Sequence, residues 1–259
     1  VDTVAIDWSG ARDPRQTLWF GIAREGQLVG LSSGLTRESV IELIVEMAQV
    51  RTDPLVVGLD FAFSLPEWFL RERQLASARH LWELVDRDGE DWLDQCQPPF
   101  WGRPGRRRPE LEEHYRQTDL RFARVGGTGI KSPFQIGGAG TVGTSSLRGM
   151  PVLARLQDAG FAIWPFDDPR VPIVVEIYPR ALTGAVVKSD RHEREQYLRR
   201  RSGFDANPHL LEVAAGSQDS FDAAVSAIVM SEHAHELAHL PRIDDRITRL
   251  EGEIWAPSP

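Results

Sequence analysis

Apolar positions along the chain follow two rhythms. Val4-Ala5-Ile6, Leu55-Val56-Val57-Gly58-Leu59 and Ile173-Val174-Val175 are short continuous runs, the pattern of strands covered on both faces. Residues 3–8 read as a first strand that closes on Asp7-Trp8-Ser9-Gly10. Residues 18–23 and 27–31 read as two more strands, joined by a tight turn at Glu25-Gly26. Val40, Leu43, Ile44 and Met47 recur at helical spacing within residues 36–50, with Thr36 as N-cap. The run at 54–62 is a central strand delivering Asp60. The run at 172–178 is a late buried strand delivering Glu176.

Between these strands the rhythm turns helical. Residues 66–73 and 77–95 carry Trp68, Phe69, Leu81, Trp82 and Trp92 on two expected helices, and 110–124 reads as a polar helix. A glycine-rich stretch, 126–149, runs into a helix over 146–159, and 161–166 reads as a short strand. Helices are expected over 179–187, 191–201 and 208–214, and a last polar helix or tail over 243–253, with 256–259 disordered. The helix that opens between Ser217 and Asp219 organises the rest. Phe221, Val225 and Ile228 face a core, and Ala223, Ala224 and Ala227 are small enough to let it lie close to a sheet. Asp219 and Asp222 are three apart and share a face near its start. One explanation for that pair is local: Asp219 caps the helix and Asp222 meets the positive end of its dipole.

Composition narrows the function classes. The 259 residues are 41% hydrophobic and 26% charged, which suits one soluble globular domain without a membrane span. The first residues form a strand pattern rather than a signal peptide. Cys96 is the single cysteine, so an internal disulfide and a cysteine zinc site are excluded, and a reducing cytoplasm fits. The formal charge of −8 argues against a generally basic nucleic-acid coat. It leaves room for an acidic metal site beside a local basic strip. The candidate strip is the loop 98–109, where Phe100 and Trp101 precede Arg106, Arg107 and Arg108. Such interleaving suits phosphate contact and base stacking, and the loop is expected to be exposed. Lys131 and the glycines of 137–143 are candidate phosphate contacts, although their spacing matches no standard phosphate loop. His233, His235 and His239 read as a solvated helix end rather than a metal seat.

Asp7, Asp60 and Glu176 thus end three buried strands, and Asp219 and Asp222 open the late helix. Carboxylates at strand ends are costly when unpaired, and several together repel unless a cation lies between them. Mg²⁺ or Mn²⁺ suits that donor set.

The pieces Ala5-Ile6-Asp7-Trp8-Ser9-Gly10-Ala11, Gly58-Leu59-Asp60-Phe61-Ala62, Val175-Glu176-Ile177-Tyr178-Pro179 and Asp219-Ser220-Phe221-Asp222-Ala223 resemble a domain-of-unknown-function family of predicted nucleases with ribonuclease H-like fold. The first and last pieces are also similar to those of Holliday-junction resolvases. The resemblance spans nearly the whole chain. It implies an α/β fold: a ribonuclease H-like mixed sheet flanked by helices, in a single domain over 1–259. Residues 66–166 would form a long, mainly helical and loop insertion. It implies a two-metal nuclease in which Asp7, Asp60, Asp219 and Asp222 hold the metal. Glu176, not a universal position in that superfamily, joins the catalytic set, and Ser9, Arg106, Arg107, Arg108 and Lys131 contact substrate. The expected partner is nucleic acid, structure-selective or single-stranded; the oligomeric state stays open, a homodimer included. Two other functions share these features. One is a phosphotransferase or nucleotide hydrolase of the actin-like and sugar-kinase kind, whose first phosphate loop Asp7-Trp8-Ser9-Gly10 resembles. The other is a non-catalytic binding module.

Overall fold

The computed structural model describes residues 1–50, 53–111, 113–123, 129–138, 141–201 and 207–257. They form an α/β fold around one mixed, seven-stranded sheet. Strands β1 (Asp2–Asp7), β2 (Trp19–Arg24) and β3 (Gln27–Ser32) make an antiparallel meander. The tight turn between β2 and β3 has Glu25 and Gly26 at φ 51° and 72°, the mirror-image turn that matches strand twist. Helix α1 (Arg37–Val50) then crosses over to β4 (Leu55–Leu59), which runs parallel to β1. β5 (Ala162–Ile163), β6 (Ile173–Ile177) and β7 (Ile254–Trp255) extend the parallel part. The sheet order is β3-β2-β1-β4-β6-β5, with β7 also pairing β6.

The continuous apolar runs are continuous because both sheet faces are covered. Val4, Ile6, Val57, Leu59 and Val174 point to one core with α1, α2 (Glu67–Glu72), α3 (Ala78–Gln95) and α5 (Gly143–Asp158). Ala5, Val56, Val175 and Ile177 point to the other, with α6 (Pro179–Thr183), α7 (Arg191–Arg199), α8 (Pro208–Gly216), α9 (Gln218–Glu232) and α10 (Ala234–Ala238). This is period-two alternation with apolar residues on both phases. The first core runs without a break into residues 66–166. Phe69, Trp92, Phe100 and Phe134 pack ring on ring there, and Trp82 Nε1 donates to Phe63 O at 2.8 Å.

Helix α9 lies unusually close to the sheet. A Cβ on Gly21 of β2 would stand 2.7 Å from the Ala223 carbonyl oxygen, and one on Gly58 of β4 would stand 2.5 Å from Met230 Sδ. Thr3 Oγ1 is hydrogen-bonded to Ala227 O at 3.1 Å and to Ala23 O at 3.0 Å, which ties helix and sheet together.

Several boundaries differ from the sequence expectation. The helix expected over 110–124 shrinks to α4 (Gln117–Phe122). Glu113 Oε1 accepts the N–H groups of His114 and Tyr115, competing with helix formation before it; residues 112 and 124 lie outside the description. The strand expected over 161–166 stops at Ile163, before Pro165, which has no N–H to pair. The helix at 179–187 ends at Gly184, φ 68°. α5 begins at Gly143, three residues early, straight out of the glycine-rich stretch. Of the polar helix or tail expected over 243–253, residues 248–251 form α11 (Thr248–Glu251), and β7 follows it with Ile254 and Trp255 buried; residues 258–259 lie outside the description. Phe100, expected to be exposed, is buried in the aromatic cluster. Among the described residues no helix is long and apolar enough to cross a membrane.

Candidate metal centre

Register places the first two acids. Ile6 stands opposite Leu59 in the parallel ladder, and the Asp60 N–H donates to Ile6 O at 3.1 Å. Asp7 and Asp60 therefore sit side by side at the C-terminal ends of adjacent parallel strands, where open α/β sheets bind ligands. The loop after Asp7 is held down. Arg37 Nη2 donates to Ser9 O at 2.7 Å, Arg148 Nη1 to Gly10 O at 2.5 Å. A Cβ on Gly10 would meet the Ser145 backbone nitrogen at 2.8 Å.

The start of α9 brings the second pair. Ser217 and Ser220 form a reciprocal capping box: the Ser220 N–H donates to Ser217 Oγ at 2.9 Å, the Ser217 N–H to Ser220 Oγ at 3.0 Å. The cap is thus Ser217 and not Asp219, which lies in the first turn, where the helix dipole favours an acid. Packing α9 onto β1 and β2 turns its first turn toward Asp7 and Asp60.

The four carboxylates feel one another. Burial first, and then the charges of Asp60, Asp222 and Asp219, hold Asp7 well above the usual carboxylate range. Burial, and then the Asp222 charge, push Asp60 up to about 8, while a side-chain hydrogen bond with Asp7 opposes the shift. Asp7 and Asp60 are open to a cleft yet walled by protein on the other sides, so their charge is poorly solvated. Burial also raises Asp219 and Asp222. For Asp222 the opposing cation is Lys188, whose Nζ lies 2.6 Å from Asp222 Oδ1.

Glu176 is committed elsewhere. Arg116 Nη1 and Nη2 reach its two oxygens at 2.8 and 2.6 Å, and the Phe63 N–H donates to it at 2.9 Å. Arg116, fully buried, also holds Asp119 through Nη2 at 2.7 Å and Nε at 3.1 Å. This network fixes the 66–166 segment to the end of β6.

A cleft of about 540 Å³ exposes the cluster. Asp7, Asp60 and Asp219 line it with Trp8, Lys131, Ser145, Glu176 and Tyr178. Lys131 therefore lines the same cleft as the acids. Ser9 does not: its hydroxyl is 2.5 Å from Thr17 Oγ1 and accepts the Ala11 N–H. Arg106, Arg107 and Arg108 are exposed and do not line the cleft. No carboxylate among the described residues pairs with them; Arg108 instead lies 5.9 Å from the Trp101 and Tyr115 ring centroids. Their loop is bound to 134–136 through the Trp101 N–H to Phe134 O and the Ile136 N–H to Trp101 O, close in sequence to Lys131. The phosphate-cradle expectation for 137–143 lies partly outside the described residues. His235 and His239 stack on each other, 4.4 Å between centroids.

Sequence reasoning missed Lys188, Arg116 and Tyr178. The signal for Lys188 was there in its rarity, since it is one of two lysines. Among the described residues no three His, Cys, Asp or Glu side chains form a ready-made metal shell. The donor set is nonetheless all carboxylate oxygen, the chemistry that hard divalent ions take. Comparison with known proteins returned no matching family model, no matching curated protein and no matching solved structure.

Proposed function

We propose that this chain is a divalent-metal-dependent nuclease of ribonuclease H-like architecture that cleaves phosphodiester bonds at the carboxylate cluster. One observation carries the reading: Asp7, Asp60, Asp219 and Asp222 converge from two strand ends and a helix start, with mutual repulsion that burial aggravates. Packing gives no reason for such a cluster, and the helix cap does not need it. Asp7, Asp60, Asp219 and Asp222 would hold Mg²⁺ or Mn²⁺. Bound there, such ions supply charge stabilisation to the attacking and leaving oxygens of a phosphodiester.

The chain's own residues do the rest. Lys131 meets substrate phosphate at the rim of the cleft. Glu176 serves as counter-ion to Arg116 and keeps the end of β6 rigid beside Asp60. The exposed arginines 106–108 give the backbone of a nucleic acid a local contact on an otherwise acidic molecule. The meander, crossover helix and parallel strand with acids on β1 and after β4 support the ribonuclease H-like architecture.

The test is incubation of the purified chain with end-labelled branched, duplex and single-stranded oligonucleotides in EDTA, Mg²⁺ or Mn²⁺. Cleavage is expected only with a divalent ion, and is expected to vanish in Asp7→Asn and Asp60→Asn. Turnover of a nucleoside triphosphate without strand cleavage would shift the reading to a phosphotransferase. The absence of both turnover and ion binding would overturn it.

A further inference from the structure

The carboxylate cluster borders a second cleft, of about 580 Å³, lined by Asp60, Tyr178, Arg180, Lys188, Gln218 and Asp222. Asp60 and Tyr178 border both clefts. The two lysines of the chain are therefore divided, Lys131 in the first cleft and Lys188 in the second. The Lys188 and Asp222 side chains are only 12% and 15% exposed and meet at 2.6 Å. An ammonium at Oδ1 occupies one of the two oxygens with which Asp222 would hold a divalent ion, and its charge opposes the ion's. Lysine is suited to yielding, since its charge rides on a flexible stem with rotatable donors. Beside Asp60 and Asp222 the same cleft holds groups that suit an anion. The Arg180 guanidinium is fixed in the wall by Nη1 donating to Val186 O at 2.6 Å, and Gln218 belongs to the first turn of the 15-residue α9.

We propose that the second cleft is a phosphate subsite with Lys188 as its cation. Lys188 neutralises Asp222 in the ion-free protein. Once an ion engages Asp222, Lys188 contacts a phosphodiester of a strand that crosses the cluster from the Lys131 cleft. This rests on the nuclease reading and adds a direction for the substrate and a residue that binds it.

The experiment measures two affinities for wild type, Lys188→Met and Lys188→Arg: Mn²⁺ alone by calorimetry, and a fluorescein-labelled eight-residue thymidine strand by anisotropy in Ca²⁺ across a salt series. Thermal melts confirm that each variant folds. The proposal expects opposite signs in Lys188→Met. Mn²⁺ should bind roughly tenfold tighter because its competitor is gone. The strand should bind roughly tenfold weaker, with a salt slope shallower by about one phosphate contact. Lys188→Arg should restore the strand affinity and slope. Unchanged strand affinity and slope in Lys188→Met would overturn the phosphate role. Unchanged or weakened Mn²⁺ binding would overturn the counter-ion role, as would loss of both affinities in a folded variant. If wild type binds no Mn²⁺, the nuclease reading itself fails and this inference goes with it.

Discussion

At the scale of single residues, Asp219 and Asp222 separate local stabilisation from ion binding. Asparagine replaces aspartate as an oxygen donor to backbone N–H groups but lacks the charge a hard divalent ion requires. Asp222→Asn is expected to fold, because it removes one member of a self-repelling cluster while weakening only the Lys188 pair. It should lose most of the stabilisation that Mn²⁺ gives wild type in a thermal melt. Asp219→Asn should do the same, since Ser217 already supplies the cap. Equal Mn²⁺-induced shifts in wild type and Asp222→Asn would remove Asp222 from the centre. Glu176 behaves differently. Glu176→Gln weakens charge-assisted bonds to Arg116 and should cost about 1–3 kcal/mol. It should leave the Mn²⁺ shift intact, and a lost shift would make Glu176 a ligand after all. The acids were legible in the sequence because each follows an apolar run or shares a helix face. Their cations were not. Arg116 meets Glu176 across 60 positions of chain, and no local pattern records a pairing made by the fold.

At the scale of elements, the site depends on how close α9 comes to the sheet. The three alanines announced a close approach; Gly21, on the opposing strand, completes it. Gly21→Ala would drive a methyl to 2.7 Å from a backbone carbonyl oxygen that has no rotamer to escape through. The helix must shift, at about 1–3 kcal/mol, and it carries Asp219 and Asp222 with it. Both the melting temperature and the Mn²⁺-induced shift are expected to fall. A variant destabilised by that amount with an undiminished Mn²⁺ shift would show that the cluster tolerates the displacement. A methyl on Gly58 would meet side chains instead, Met230 Sδ at 2.5 Å and the β-branched Ile177 Cγ2 at 2.9 Å. Long elements were legible from periodicity, and short ones were not. β5 and β7 are two residues each, and α4 depends on the Arg116 and Asp119 side chains. Too few side chains repeat in such elements to leave a rhythm, and their existence is decided by what they pair with.

At the scale of the whole molecule, the cluster makes folding and ion binding opposing demands on the same protons. Asp60 ionises near 8 in the folded chain, against an ordinary value of 3.8 in the unfolded one; Asp7 is shifted the same way. Between those values the unfolded chain has released protons that the folded chain retains. Rising pH therefore favours the unfolded state, and the stability present below about pH 4 is lost as pH climbs through about 8. The loss is on the order of a few kcal/mol. A divalent ion reverses the demand, because its ligands must be deprotonated in the folded state. In EDTA the melting temperature of wild type is expected to fall steadily from pH 5 to pH 8. Asp60→Asn, which keeps the shape without the proton, should fall less, and the difference between the two isolates this site from Glu176, Glu251 and Glu253, which burial also raises. In saturating Mg²⁺ the wild-type curve should flatten over the same range. If wild type and Asp60→Asn lose stability in parallel in EDTA, the cluster carries no stored proton, and the case for a cation to replace it weakens at its source.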